Sequence, residues 1–504
     1  MVINYDHNAA VYQAPRLGWF GWYQNYLILG LPLLQSLTPE QFKATLAHEL
    51  GHLSGNDSQF AGWIYRVRHM WEQLTCDNNF FLFQWFFRWY EPLIKAYSLV
   101  LIRDREYAAD ALAQRMTSQE ITASDLIQTY IYQYYLEECF GRQLDRQAME
   151  RDTPPRNVVT QMLAALRQPL DPQAARIWLG LALGEATDTD DTHPCLSDRL
   201  AAVGYPTPKS WTPRPIVVSA AEHFFGDKLA DLATELDTQW YEQRRSIWLQ
   251  QYQRVQYQRE YLASLQLLAT SQPLTFSQTM IRAELTSSLD DELTALPLWE
   301  EILSQSPHHP QANYQVGKIL VDRGYQRGCV YLERSIELDP DLVIPSCEQL
   351  YRFYTYRGEL ESAQIYLDWR QQHLPKQWRS QLERKIKDTD RFVPHDLAQD
   401  LVDDIRAKLV QHHEIDSAYL VRKPMQLFPE HSIYILAIKL AKTKSSNGLA
   451  EQWERELCDR LSIEINLTKR SIIAIFDSQK SPSTHHRDLK LITKIERVPG
   501  GCIL

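Results

Sequence analysis

The sequence lacks closely spaced cysteines. Its seven cysteines lie far apart, and no two of them form a Cys-x-x-Cys pair. This spacing indicates neither a zinc ribbon nor a disulfide framework. Cysteines without partners fit a reducing compartment, so we expect the protein to be cytoplasmic.

An excess of positive charge is also missing. The formal net charge is -10 at pH 7, and no long basic stretch runs against this balance. Nucleic-acid binding needs lysine and arginine side chains that can meet phosphates. The composition therefore argues against a general nucleic-acid binder.

Targeting signals are scarce as well. Residues 1–13 have neither the basic start nor the apolar run of a signal peptide, and Cys502 stands third from the end, which excludes a prenylation box. The segment of residues 79–102 is long enough to span a bilayer, but polar side chains such as Arg88 and Glu91 interrupt it. It either touches a membrane peripherally through its aromatic residues or forms a helix that covers its own domain.

The most informative stretch is residues 38–53, TPEQFKATLAHELGHL. On a helix, His48 and His52 are four residues apart and share one face, so both rings can bind one metal ion. Glu49 is adjacent to His48, and in metalloproteases with this motif the corresponding glutamate is the general base, so Glu49 is the candidate for that role. The alternative is a core helix with two histidines that have ordinary hydrogen-bond partners.

Local signals predict that this stretch is a helix. Thr38 is a typical N-cap, Pro39 suits the first helical position, and Gln41 completes a capping box. Leu37 and Phe42 have the spacing of a hydrophobic staple. The helix is therefore expected to begin at Pro39.

A third metal ligand is expected on a second helix, residues 97–115, which are rich in alanine and leucine. Catalytic zinc usually takes three protein ligands and keeps one position for water, and Glu106 is the candidate for the third, giving one Zn²⁺ per chain. Asp110 lies one turn further and can orient a ligating histidine. The alternative is a solvated charged face with Arg103 and Arg105.

Three separated motifs resemble a known family. HELGH at residues 48–52, REYAAD at 105–110 and THPCLSDRL at 192–200 are similar to peptidase family M48, which contains the HtpX heat-shock protease and the CAAX prenyl proteases. The resemblance covers about residues 1–205. It implies a gluzincin-type zinc metallopeptidase domain.

The resemblance also implies roles for further residues. His193 and Arg199 would face the zinc and steady the substrate and the tetrahedral intermediate, and Asn8, in an Asn-Ala pair before the metal helix, would contact the substrate. Residues 25–29 are the candidate by position for an edge strand that pairs with the substrate backbone. Family members usually carry transmembrane helices before this domain, so we expect either a soluble member or a start codon placed too far downstream.

The middle of the chain shows a repeat of about 34 residues. Arg323-Gly324 and Arg357-Gly358 fall one period apart, and this spacing is similar to tetratricopeptide repeats. The repeats would act either as a helical spacer or as the docking site of a protein partner. Three sets of residues share the spacing: Ala295, Trp299 and Pro307; Gly328, Leu332 and Pro340; Ala363, Leu367 and Pro375.

Together these patterns predict a mainly α protein with an α+β metalloprotease domain and a small C-terminal α/β domain. The strands of the latter are expected at residues 418–421, 432–438 and 471–476. The predicted function is zinc metalloendopeptidase acting on protein or peptide substrates, and the alternative is an adaptor with a non-catalytic zinc domain. The predicted division is residues 1–205 for the peptidase, 206–275 for a linker with connector helices, 276–390 for the repeats and 394–504 for the last domain.

Overall fold

The computed structural model describes residues 1–15, 23–53, 103–187, 193–206, 208, 211, 215–387, 389–440, 449–465, 470–476 and 491–504. It contains two compact units. Unit 1 comprises Met1–Gln253 and Ile344–Leu374, and unit 2 comprises Arg254–Val343 and Pro375–Leu504. The predicted membrane contact through residues 79–102 lies outside the described residues, and the division into four domains stays a prediction.

Unit 1 opens with a three-stranded sheet. Its strands are β1 (Val2–Asn4), β2 (Ala9–Pro15) and β3 (Tyr23–Gly30), in the order β1-β3-β2. Strand β2 pairs antiparallel with the whole of β3, while β1 pairs parallel with its last residues. Residues 25–29 lie in β3, where β1 pairs with Ile28 and Leu29, so the prediction of an edge strand is wrong at these two positions, while β2 forms an edge of the sheet.

The helix that carries His48 and His52 begins where the sequence predicts. Helix α1 (Leu31–Gln35) is followed by α2 (Pro39–Gly51). The Thr38 hydroxyl accepts a hydrogen bond from the Gln41 N–H, and the Gln41 side chain accepts one from the Thr38 N–H at 2.9 Å. Leu37 and Phe42 are both buried in one core, as expected for a hydrophobic staple. The predicted N-terminus of this helix is confirmed.

Further helices of unit 1 follow in the first part of the chain. Helix α3, residues 103–116, carries the REYAAD motif, and a π-helical turn, Leu136–Gly141, follows α4. The others are α4 (Gln119–Tyr135), α5 (Arg142–Glu150), α6 (Val158–Leu166), α7 (Pro172–Leu183), α8 (Leu196–Ala202), α9 (Ala220–Phe225) and the long α10 (Leu229–Ser271), which continues into unit 2. No helix in the described part of the chain is both long and apolar enough to cross a bilayer.

Paired helices follow α10. They are α11 (Phe276–Leu289), α12 (Glu292–Gln305), α13 (Pro310–Asp322), α14 (Arg327–Leu338), α15 (Val343–Tyr356) and α16 (Leu360–Arg384). Gly324 and Gly358 turn the chain between the helices of a pair with φ angles of 79° and 77°, a conformation that favours glycine. The recurrence of this turn supports a repeat, but the identification as tetratricopeptide repeats stays a prediction.

The C-terminal part of unit 2 is a four-stranded sheet with helices. Strands β5 and β6 are antiparallel, and β7 is parallel to β6. Buried side chains cover both faces of this sheet. The three predicted strands are confirmed: the elements are β4 (Val393–Pro394), α17 (Gln399–Leu409), β5 (Ile415–Lys423), β6 (Ile433–Leu440), α18 (Leu449–Glu464) and β7 (Ser471–Phe476).

Candidate metal centre

Three side chains from two helices converge in unit 1. His48 and His52 come from α2 and Glu106 comes from α3. The Nε2 atoms of His48 and His52 are 3.2 Å apart. The Glu106 carboxylate lies 3.5 Å from His48 Nε2 and 3.4 Å from His52 Nε2. One nitrogen or oxygen atom of each residue lies within 4.8 Å of the others, so the group could hold a metal ion.

The donor set fits zinc. Two imidazole nitrogens and one carboxylate are the ligands of many catalytic zinc sites, which keep a fourth position for water or substrate. His48 and Glu106 are 7% and 4% exposed, so two of the ligands are held in a dry environment. The His52 side chain is 27% exposed, which leaves one side of the group accessible from solvent.

Asp110 and Arg199 hold His48 in place. The His48 Nδ1–H donates to the Asp110 carboxylate at 2.8 Å. Arg199 donates to both oxygens of the same carboxylate, at 2.9 and 2.7 Å. A carboxylate on Nδ1 fixes the tautomer that leaves Nε2 available for a metal. The structure therefore places Arg199 on Asp110, where it acts on the ligand through a second side chain.

His193 contacts the third ligand. Its Nδ1 lies 2.8 Å from a Glu106 oxygen, while the side chain as a whole is 57% exposed. The segment that carries it is fastened nearby, because the Thr187 hydroxyl accepts from the Cys195 N–H and donates to Asp198. The ring thus lies at the rim of the site with one nitrogen anchored.

The environment of the site shifts the pKa values of its ionisable groups in different directions. Burial alone raises the pKa of Glu106, but hydrogen bonds from His193 and His48 hold it well below its usual range. Burial raises the pKa of Glu49, and the nearby charge of His48 only partly offsets this. Burial and the charge of His48 lower the pKa of His52 to about 4. Glu106 is therefore ionised and His52 is neutral at pH 7, as metal ligands must be. Burial opposes protonation of His48, but its hydrogen bonds to Asp110 and Glu106 raise its pKa to about 9, so a metal ion must displace a proton from this ring.

A polar cluster ties α2 to α4, and no local sequence pattern predicts it. The Thr45 hydroxyl lies 2.9 Å from both oxygens of Asp125. The Gln41 amide donates to Ser124 at 2.6 Å and to Gln128 at 3.1 Å. These contacts fasten α2 about one and two turns before His48.

Two other predicted site residues, Glu49 and Asn8, lie outside the group of three candidate ligands. Glu49 is half-buried on α2 next to the ligands. Asn8 is exposed and immediately precedes β2, where its carbonyl accepts a hydrogen bond from the Gly30 N–H at 2.8 Å. The structure thus gives Asn8 a main-chain role at the start of the edge strand.

The candidate metal centre lies in a segment that matches a known protein family. Residues 12–207 match the model of Peptidase family M48. This match supports the general class of zinc metallopeptidases. The matched range includes every residue of the candidate centre. It excludes Asn8 and the repeat region. A comparison with curated proteins found no match.

Proposed function

We propose that the protein is a zinc-dependent metalloendopeptidase of the HExxH-plus-glutamate type that hydrolyses peptide bonds in protein substrates. The observation that carries this proposal is the convergence of His48, His52 and Glu106 within 4.8 Å, with Glu49 adjacent on the same helix. A bound zinc ion supplies Lewis-acid chemistry, since it polarises a carbonyl and lowers the pKa of water to about 7.

Glu49 is the general base in this proposal. It accepts the proton of the attacking water and passes it to the leaving amine. Its raised pKa suits this role, because a base whose pKa lies closer to neutral can both accept and release a proton.

His193 and Arg199 have different tasks. The exposed His193 ring, anchored on Glu106 at 2.8 Å, is the candidate to donate a hydrogen bond to the oxyanion. Its pKa is raised by the hydrogen bond to Glu106, which favours the protonated, donating form. Arg199 is a positioning residue, because its guanidinium is engaged by Asp110.

The substrate backbone would pair with β2. Among the described strands, β2 pairs only with β3 and so has one open edge, and it contacts the metal-binding helix α2. An extended peptide can add to such an edge through main-chain hydrogen bonds. This arrangement assigns to β2 the role that the sequence suggested for residues 25–29.

The alternative is an adaptor that carries a structural zinc site and docks a protein partner on its paired helices. Structural zinc sites are usually closed by four protein ligands. The described residues supply three, with one side of the group accessible, which favours the enzyme. Cleavage that stops with a chelator and returns with zinc would separate the two functions.

Glu49→Gln tests the proposed base. The variant should retain one zinc per chain but lose cleavage of unfolded casein by a factor of about a hundred or more. Glu40→Gln, at an exposed position of the same helix, is the matched control and should keep both properties. Zinc content is measured by atomic emission and cleavage by release of soluble peptides; undiminished cleavage by Glu49→Gln would remove this residue from the mechanism.

A further inference from the structure

Unit 2 contains a cleft with a volume of about 560 Å³. Its walls come from α10, α11, α12, α13 and α18, together with Ser471 of β7. This volume is within the range of ligand-binding pockets. The residues of the candidate metal centre belong to unit 1 and do not line it.

Glutamine side chains face this cleft from two walls. Gln311 and Gln315 are one turn apart on α13 and share a face, and Gln258 comes from α10. Gln311 is 7% exposed, and no described residue accepts a hydrogen bond from its Nε2. Buried polar groups nearly always have a partner, so this amide points to a ligand that supplies an acceptor.

The charges of the cleft indicate an uncharged ligand. Arg254 and Lys318 bring positive charge, while Glu284 and Glu292 bring negative charge in equal number. Lys318 is already paired with Glu292 and lies 3.6 Å from Asp322. A phosphate or another anion would meet no surplus of positive charge here.

The chemistry of the amides matches the polypeptide main chain. A glutamine side chain has two N–H donors and one carbonyl acceptor, so it can bind the C=O and the N–H of a peptide unit together. Ile281 and Leu285 add apolar surface for side chains of the ligand. Three such amides would bind an extended segment with little dependence on its sequence.

We propose that this cleft binds an extended segment of a protein substrate through its main chain, with Gln258, Gln311 and Gln315 as the contacts. The inference rests on the proposed peptidase function for the identity of the occupant. A segment held here remains tethered to the chain that carries the metal centre, which raises its effective concentration there. Long unfolded substrates would gain from the cleft, whereas short peptides would not.

The binding test uses the full chain with Glu49→Gln, so that the probe is not cut. The probe is fluorescent, reduced and carboxymethylated α-lactalbumin, and binding is followed by anisotropy. Gln311→Met with Gln315→Met removes the amides at nearly constant volume and should weaken binding about tenfold or more. Gln305→Met, at an exposed position of α12, is the control and should bind as the parent does.

Two further readouts distinguish a binding site from a structural cluster. Gln311→Met should raise the Tm while it weakens binding, because it removes a buried amide without a partner; a lower Tm would mean that the amide has an internal role and would overturn the proposal. A twelve-residue peptide of alanine, serine and leucine should bind, and its N-methylated counterpart should not. Equal binding of both peptides would refute main-chain recognition.

The outcome is independent of the test of the metal centre. In the active protein, the double variant should raise KM for unfolded casein and leave kcat and the cleavage of an eight-residue peptide unchanged. If the protein proved to cleave nothing, the anisotropy result would still decide whether the cleft binds polypeptide. Unchanged binding by the double variant would refute the cleft and leave the peptidase proposal intact.

Discussion

Asp110 connects the proposed metal ligand His48 to Arg199. Its carboxylate accepts from His48 Nδ1 at 2.8 Å and from two Arg199 nitrogens, and only 1% of the residue is exposed. Burial alone would raise the pKa of Asp110, but the hydrogen bond from Arg199 holds it below its usual value. The carboxylate therefore stays ionised and can hold the imidazole in one tautomer.

Asp110→Asn should weaken zinc binding about 10- to 100-fold. The amide keeps the size of the side chain but loses the charge that supports the His48 ligand. Zinc affinity is measured by competition with a chromogenic chelator. Asp104→Asn, at an exposed position of the same helix, should leave the affinity unchanged; equal affinities of the two variants would show that Asp110 does not support the ligand.

Asp125 introduces a pH-dependent contribution to stability. Burial raises its pKa from the ordinary value of 3.8 to about 7, although the hydrogen bond from Thr45 opposes this. Between these two pH values the folded protein binds a proton that the unfolded chain has released. Stability therefore falls as the pH rises from about 4 to 7, and the loss is complete above pH 7.

Asp125→Asn should remove this dependence. In the parent protein, the free energy of unfolding falls by at most about 4 kcal/mol over this pH range, at 1.4 kcal/mol per unit of pKa shift. In the variant, the asparagine carbonyl can still accept a hydrogen bond from Thr45. The Tm of the variant relative to the parent should rise between pH 5 and pH 8. Parallel Tm profiles for the two proteins would contradict a raised pKa at this position.

At the scale of elements, the predictable features are those with local causes. Helix α2 begins at the predicted residue because Thr38 and Gln41 cap it within one turn. The central position of β3 could not be read from its residues, because it depends on pairing with β1 at the start of the chain. Asp125 was missed for the same reason, since its partner Thr45 is 80 residues away.

The same distinction applies to the candidate site. Residues 48–52 form a pattern within one helix, and Glu106 with Asp110 forms another, so spacing was enough to propose them. The cleft in unit 2 depends instead on how five helices pack. Gln258 and Gln311 have no relation in sequence that would indicate a common wall, and only the packed structure brings them to one cavity.

The helices α13 and α14 pack too closely for a larger residue at Gly317. A Cβ atom there would lie 2.7 Å from Leu332 Cγ and 2.9 Å from the Leu332 backbone nitrogen. Because backbone cannot move away easily, Gly317→Ala should destabilise unit 2 by about 1–3 kcal/mol. Thermal unfolding and hydrogen exchange of α13 measure this.

Gly324 provides the comparison for that substitution. It has a φ of 79°, but a Cβ atom there would meet nothing within 4 Å. Gly324→Ala should therefore lower the free energy of unfolding only by the backbone strain of about 1–2 kcal/mol. It should not speed up amide hydrogen exchange along α13. If both variants loosened α13 equally, close packing at Gly317 would not be the cause.

At the scale of the whole molecule, unit 1 is assembled from distant parts of the sequence. Residues 344–374 belong to it, although the sequence pattern groups them with the repeats. Tyr351 and Leu367 lie against Gly180 and Gly184 of α7, where any side chain would collide with them. Glu138 in the π-helical turn accepts hydrogen bonds from both Trp178 and Arg352.

A chain that ends at residue 342 should therefore lose the fold of unit 1, including its metal centre. Ile177 and Leu181 are 0% and 1% exposed, and both side chains would face solvent without α15 and α16. Each exposed side chain would lower the free energy of unfolding by about 1.5–3 kcal/mol. A chain that ends at residue 390 keeps both helices and is the matched control. Zinc content and Tm should both fall sharply in the shorter chain and hold in the longer one, whereas full zinc occupancy in the shorter chain would show that residues 1–253 fold without the helix pair.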